Sequence, residues 1–382
     1  MQLQLPEPLP EALAASNALR QVIVSEIENS GGWIGFDRYM ELALYAPGLG
    51  YYSGGSAKLG KDGDFTTAPE MTPLFGRTLA RLAAQLFAQC PAQILEFGAG
   101  TGKLARDILA ELQALGQPAT SYQIVELSGE LRQRQQQTLS GFPQVQWLDR
   151  MPESFSGLVI ANEVLDAIPV RLLCRQAQGW LERGVSLKEG QLAFADQPLA
   201  AEELAVLLPQ IPDVEELPQG YVTEVHPLAR AWSASVGAML QQGAAIFIDY
   251  GFPAREYYLG QRSRGTLMCH YRHHSHDDPF YLPGLQDITA HVDFTDVARA
   301  GLQSGADLLL YTSQANFLLS AGLPQLLSEV SPDEHLRYLP MANAVQKLTS
   351  PAEMGELFKV LVLGRGIALP PEMLRADRSH RL

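Results

Sequence analysis

Ile94-Leu95-Glu96-Phe97-Gly98-Ala99-Gly100-Thr101-Gly102-Lys103-Leu104 reads as a buried strand, a glycine loop and the start of a helix. Three glycines at alternate positions let the backbone turn tightly and approach a ligand that a Cβ would keep away. A helix predicted over Leu104 to Leu115 would direct its unpaired N–H groups into that loop. These features imply a nucleotide-binding α/β fold. A dinucleotide fingerprint needs G-x-G-x-x-G, but its third small residue falls on Lys103; a P-loop needs G-K-[ST], which does not follow. What remains is acid-x-G-x-G-x-G, with Glu96 two residues before Gly98 and with Gly100 and Gly102 completing the loop. That pattern suits a ligand without a pyrophosphate, such as S-adenosylmethionine, whose sulfonium and amino group can sit beside a carboxylate. Tyr122-Gln123-Ile124-Val125-Glu126 adds a second strand ending in an acid, placed where doubly wound folds accept hydrogen bonds from ribose hydroxyls.

Working outward, β and α segments alternate. Strands are predicted at Gln93–Phe97, Gln123–Glu126, Gln144–Leu148, Gly157–Ala161, Ala244–Tyr250, Asp307–Thr312 and Leu357–Leu363. Helices fall between them at Glu130–Leu139, Pro227–Leu240, Thr295–Gln303 and Gln314–Ala321. This alternation implies a mostly parallel sheet covered on both faces. The seventh strand, reached after a helix and loop, could enter antiparallel beside the fifth. The expected fold is therefore a Rossmann-like, seven-stranded class I S-adenosylmethionine-dependent methyltransferase. An N-terminal helical region and lid loop (1–75) precede the methyltransferase domain (76–382), which carries insertions at about 170–222 and 251–294. Helices are expected at Leu9–Asn29, Phe36–Tyr45 and Pro73–Gln89. The glycine- and aromatic-rich stretch Ala46–Gly55 has the length and composition of a functional loop.

The composition sets bounds. The 382 residues are 46% hydrophobic and 18% charged, with a mean hydropathy of −0.03, ordinary for a soluble globular chain. A net charge of −14 argues against a nucleic-acid partner, which requires a concentrated basic surface. Cys90, Cys174 and Cys269 form neither a disulfide framework nor a CxxC pair. The first ten residues carry an acid and prolines instead of a basic and apolar signal, and no apolar run approaches membrane-spanning length. A reducing, cytoplasmic setting without membrane insertion is expected. Oligomeric state stays open, a homodimer included.

Ligands of open α/β sheets bind outside the carboxyl ends of the strands. Asn162-Glu163-Val164-Leu165-Asp166-Ala167-Ile168-Pro169 follows the fourth strand. Methyl transfer is an in-line displacement, so donor and nucleophile must share one axis. If the nucleophile is an arginine guanidinium, it arrives charged, because its pKa exceeds ~12. Glu163, with Asp166 as companion, could orient it and draw charge from the attacking nitrogen; alternatively Asp166 caps a helix and Asn162 anchors the cofactor. Asp249, after the fifth strand, is another acid at the mouth of the sheet. The second insertion holds His270, His273, His274 and His276, whose spacing matches no H-x3-H or HExxH pattern, so no metal is expected; His270 could face the pocket. Thr289, His291 and Asp293 alternate, and can share one face of an extended segment. That face could line a substrate channel or be the solvated side of an edge strand.

Six runs carry a family resemblance. Gly63-Asp64-Phe65-Thr66-Thr67-Ala68-Pro69-Glu70, Glu96–Gly102, Asn162–Val170, Asp249-Tyr250-Gly251, Asp287-Ile288-Thr289-Ala290-His291-Val292-Asp293-Phe294 and Met354–Val360 occur in order. Together they resemble the MidA family, related to the mitochondrial complex I assembly methyltransferase, from about Phe36 to Val360. The resemblance implies protein arginine methylation, with a respiratory complex I subunit as substrate of the mitochondrial relatives. It implies cofactor contacts from Asp64, Thr66 and Pro69 besides Gly98, Gly100 and Glu126, and a target-facing role for Glu163 and Asp166. The loop reads GAGTG where many relatives read GPGRG, which keeps the small residues and removes a basic one. Methylation of a small molecule, or an adenosylmethionine-binding assembly factor without catalysis, are the competing readings.

Overall fold

The structure is a computed structural model, described for residues 5–54 and 67–382. The chain divides into two compact units: the described parts of 1–65 with 166–231 and 252–296, and 66–165 with 232–251 and 297–382. The boundary expected at residue 75 is not where this division falls. The N-terminal segment and both insertions make up one unit, and the helix Pro73–Leu86 belongs to the other.

The second unit is built on seven strands: β1 (Gln93–Phe97), β2 (Ser121–Val125), β3 (Val145–Leu148), β4 (Phe155–Asn162), β5 (Leu240–Phe252), β6 (Asp307–Ser313) and β7 (Phe358–Arg365). They run β6-β7-β5-β4-β1-β2-β3 across the sheet. β1 to β5 pair in parallel. β7 lies antiparallel between β5 and β6. The central strands read as apolar runs because both sheet faces are covered; Ile94, Leu158, Ile160, Ala244 and Ile246 join one core with Phe75, Leu79, Leu104 and Ile108 from the flanking helices. The helix Pro73–Leu86 starts on a Thr72 cap accepting from Leu74 N–H at 3.3 Å. It passes close to the helix Lys103–Ala114 at Gly76, where a Cβ would come within 2.8 Å of Asp107 Cβ.

The first unit has a separate sheet. Trp33–Gly35 pairs with Gly179–Lys188, which pairs with Arg171–Gln176 and Gln191–Pro198, and Arg171–Gln176 pairs with Val222–Val225. The chain turns at Ala177-Gln178 between Arg171–Gln176 and Gly179–Lys188, and at Glu189-Gly190 between Gly179–Lys188 and Gln191–Pro198. A smaller sheet joins His274–His276, Met268–Tyr271 and Asp287–Thr289. The helices Pro10–Asn29 and Phe36–Tyr45 contribute Leu19, Ile23, Phe36 and Tyr39 to the core beneath these strands. Among the described residues no helix is long and apolar enough to cross a membrane.

Candidate functional site

In the second unit, the carboxyl ends of β2, β1 and β4 lie level, while β5 runs beside them and on past Ile248. Phe97 is flanked by Val125 and Ala161, and Asn162 stands beside Ile248. The loops that follow these strands are therefore neighbours. Gly98, Gly100 and Gly102 all adopt left-handed backbone, with φ of 63°, 53° and 80°, a conformation that costs an L-residue roughly 1–2 kcal/mol. A Cβ on Gly98 would also meet Val164 Cγ2 at 3.1 Å. The loop is pinned by Gly98 N–H donating to Val125 O and Gly102 N–H donating to Ala99 O. The short helix Ala68–Met71 braces it: Thr101 Oγ1 donates to Glu70 Oε1, and Lys103 Nζ to Glu70 O at 2.7 Å. Pro69 is buried there. Asp64 and Thr66 lie outside the described residues.

The two strand-end acids differ. Glu96 is 2% exposed and accepts the Tyr122 hydroxyl at 2.7 Å. Burial pushes its carboxyl up to about 7, with that hydroxyl opposing the rise and Glu126 adding to it. Glu126, one residue past β2, accepts Ser128 N–H and Gln135 Nε2, both at 2.8 Å. Burial raises its carboxyl too, against the pull of these two donors. Gln135 Nε2 also donates to Gly100 O at 3.0 Å, and Gln135 Oε1 accepts Trp147 Nε1 at 3.0 Å. One fully buried amide thus ties the second acid, the glycine loop and the β3 tryptophan together. Sequence reasoning missed it, because Gln135 sits among four glutamines of one helix, Gly129–Thr138.

After β4, Asn162 Nδ2 donates to Glu163 Oε1 at 3.1 Å. Asn162 Oδ1 is buried without a hydrogen-bond partner among the described residues. Glu163 has φ 54°, rare for a residue with a side chain, and its N–H donates to Ile248 O at 2.9 Å. Asp249, 1% exposed, accepts Leu165 N–H on Oδ2 and Tyr250 N–H on Oδ1, each at 2.9 Å. It grips the turn that displays Glu163. The left-handed cradle and the orphaned Asn162 acceptor fit a ligand that brings its own N–H or O–H donors.

The remaining candidates belong to the first unit. Asp166 is buried, and its carbonyl accepts Ala290 N–H at 3.0 Å. His270 lies in Met268–Tyr271, opposite Ser275 and Asp287. The expected single polar face through Thr289, His291 and Asp293 does not form. Asp287–Thr289 ends there, Val292–Asp293 is a separate short strand, and His291 N–H turns to Thr266 Oγ1 while its ring stacks on Phe252. Thr289 and Asp293 are both buried. Asp293 Oδ1 accepts Thr295 and Asp296 N–H, closing the first turn of the helix Phe294–Gln303. Among the described residues no group of three or more His, Cys, Asp or Glu is placed to hold a metal ion.

Residues 75–312 match the family model described as "Putative S-adenosyl-L-methionine-dependent methyltransferase", more than half of the chain. The chain belongs to this family. Its cofactor is S-adenosylmethionine, and the glycine cradle sits within the matched span. A crystal structure of a Burkholderia thailandensis protein bound to S-adenosyl-homocysteine is 55% identical, with a TM-score of 0.93 over 99% of this chain and 100% of that one. The mixed central sheet of this chain is the α/β methyltransferase fold. The Mus musculus "Protein arginine methyltransferase NDUFAF7, mitochondrial" is 30% identical over 92% of this chain and 84% of its own length. The Drosophila melanogaster homologue is 28% identical over 95% and 88%.

Proposed function

We propose that this methyltransferase acts on an arginine guanidinium of a protein substrate. The observation that carries the reading is Glu163, held at φ 54° by Ile248 O, on a turn gripped by Asp249. A side chain kept in left-handed backbone persists only where its surroundings over-determine it, and such positions concentrate at functional sites. The similarity to protein arginine methyltransferases supports the acceptor class, and a respiratory complex I subunit is the first acceptor to assay. Bound S-adenosylmethionine supplies an electrophilic methyl group. The chain's residues do the rest. Gly98, Gly100 and Gly102 leave room for backbone approach, and Glu96 and Asn162 offer acceptors to an ammonium. Each Glu126 oxygen keeps a lone pair for a ribose hydroxyl beyond the hydrogen bond it already accepts. Glu163 accepts guanidinium N–H groups, holding the attacking nitrogen in line and balancing the charge that must be redistributed as the nitrogen attacks.

The test is Glu163→Gln. The amide keeps the size and cannot carry the charge. Calorimetry should find adenosylmethionine affinity close to the parent's, while turnover on the acceptor falls by about 100-fold or more. The acceptor itself is found by comparing arginine methyl marks in cells with and without the gene. Wild-type turnover in Glu163→Gln would remove Glu163 from the chemistry, and loss of cofactor affinity would assign it to the cofactor instead.

A further inference from the structure

The stretch from 197 to 221 belongs to the first insertion and contributes no residue named above to the cofactor site. It carries five acids and no Lys, Arg or His. Its chain is built to hold a shape. Leu207, Ile211 and Leu217 are buried in a core with Leu173, Trp180 and Tyr257. Arg175 Nη1 donates to Val214 O at 2.7 Å, and Arg175 also exchanges backbone hydrogen bonds with Tyr221 and Gly220. Asp213 turns the chain with φ 50° and accepts Glu216 N–H at 2.8 Å. The result is an open groove of about 510 Å³. Leu204, Leu208 and Val214, half-buried, form its apolar lining, and Asp213, Glu215 and Glu216, all exposed, stand around it. None of these three acids makes an ion pair among the described residues, whereas Glu203 on the neighbouring helix is bound by Arg171.

An apolar trough edged by one sign of charge selects a partner with the opposite sign and apolar anchors. We propose that this groove docks a basic amphipathic segment of the protein substrate, apart from the arginine that is methylated. The inference rests on the protein-substrate reading and extends it. The groove would set affinity for the substrate, while the glycine cradle and Glu163 set cofactor binding and chemistry. Its turn is already hydrogen-bonded into shape, so little ordering is lost on docking, and its charged rim makes docking weaken with salt.

The probe is a fluorescein-labelled synthetic helical peptide with Leu on one face and Lys on the other, titrated by anisotropy into the full chain. Two peptides serve as controls, one with Glu for Lys and one with Ser for Leu. Asp213→Lys, Glu215→Lys and Glu216→Lys together should weaken binding of the Leu/Lys peptide by about tenfold or more. Ala205→Trp, which fills the groove from an exposed helix position, should do the same without removing a core contact. Asp307→Lys, Glu353→Lys and Glu372→Lys make the same change of net charge elsewhere and should leave binding unaltered. A parent chain that ignores the Leu/Lys peptide, or binds either control as well, overturns the proposal. So does a distant triple variant that loses as much affinity as the groove variant. Two measurements separate the readings: the groove variants should keep parental adenosylmethionine affinity, and cells that lose no protein arginine methyl mark when the gene is removed would refute the protein-substrate reading while leaving the peptide result to stand.

Discussion

Replacing Glu96 by Gln should stabilise the protein in a pH-dependent way. Glu96 is buried on β1, and its carboxyl is raised from 4.5 to about 7. A raised acid favours the protonated form in the folded state, so burial of its charge destabilises the fold wherever the unfolded chain would be ionised. That penalty is absent below 4.5, grows through the interval, and is complete above 7. At about 1.4 kcal/mol per pKa unit, 2.5 units amount to about 3 kcal/mol at pH 8 and about 2 kcal/mol at pH 6. Gln keeps an acceptor for the Tyr122 hydroxyl, now at 2.7 Å from Glu96. Its new amide donors are a cost of about 1–3 kcal/mol if they find no partner, but that cost does not vary with pH. The diagnostic is therefore the slope. Relative to the parent, the Gln variant should lose about 1 kcal/mol of its advantage between pH 8 and pH 6. Urea unfolding at several pH values above the pI of about 5.0, where net charge keeps the chain in solution, measures it. A parallel pH dependence in both proteins would refute a raised Glu96. In the proposed function, the same acid accepts the cofactor's ammonium. An ammonium placed beside it returns the pKa toward 4.5, so binding near pH 7 should release a proton, visible as a buffer-dependent heat that disappears in the Gln variant.

Two further outcomes follow from the cradle. Gln135→Leu removes the donor shared by Glu126 and Gly100 O; adenosylmethionine affinity should fall by about tenfold, and by more at lower pH as Glu126 protonates more readily, whereas an unchanged calorimetric titration would make Gln135 a packing residue only. Gly98→Val places a branched side chain at φ 63° against Val164 Cγ2 and should abolish cofactor binding; a folded Val variant with parental affinity would show that the ligand does not approach this loop.

Much of the sheet was legible along the chain, because its rules are local. The run from Ile94 to Leu104 combines a two-sided apolar strand, left-handed glycines and a helix start within eleven residues, and strand–helix alternation then leaves few topologies. Even the antiparallel β7 was suggested by its place after a helix and loop. Side-chain partners were less legible. Asp249 reads as one more acid at a strand end; only the fold shows both its oxygens accepting backbone N–H groups of the Glu163 turn and its neighbour. Asp293 belongs to an alternating run, yet the strand ends at Thr289 and Asp293 caps a helix.

What the sequence by itself determined is the central sheet and its glycine loop, since strand, acid, loop and helix are contiguous there and each local preference agrees with the next. What the tertiary structure alone decided is which distant segments meet. Ile34 pairs with Val185, and Tyr52 donates to Asp287, so the N-terminal segment and the two insertions form one unit; no period or motif records such pairings, because they depend on loop closure and burial over long separations. The tertiary structure likewise selected Gln135 from four glutamines of one helix, since the angle at which that helix packs on the glycine loop, not its composition, determines which amide is buried.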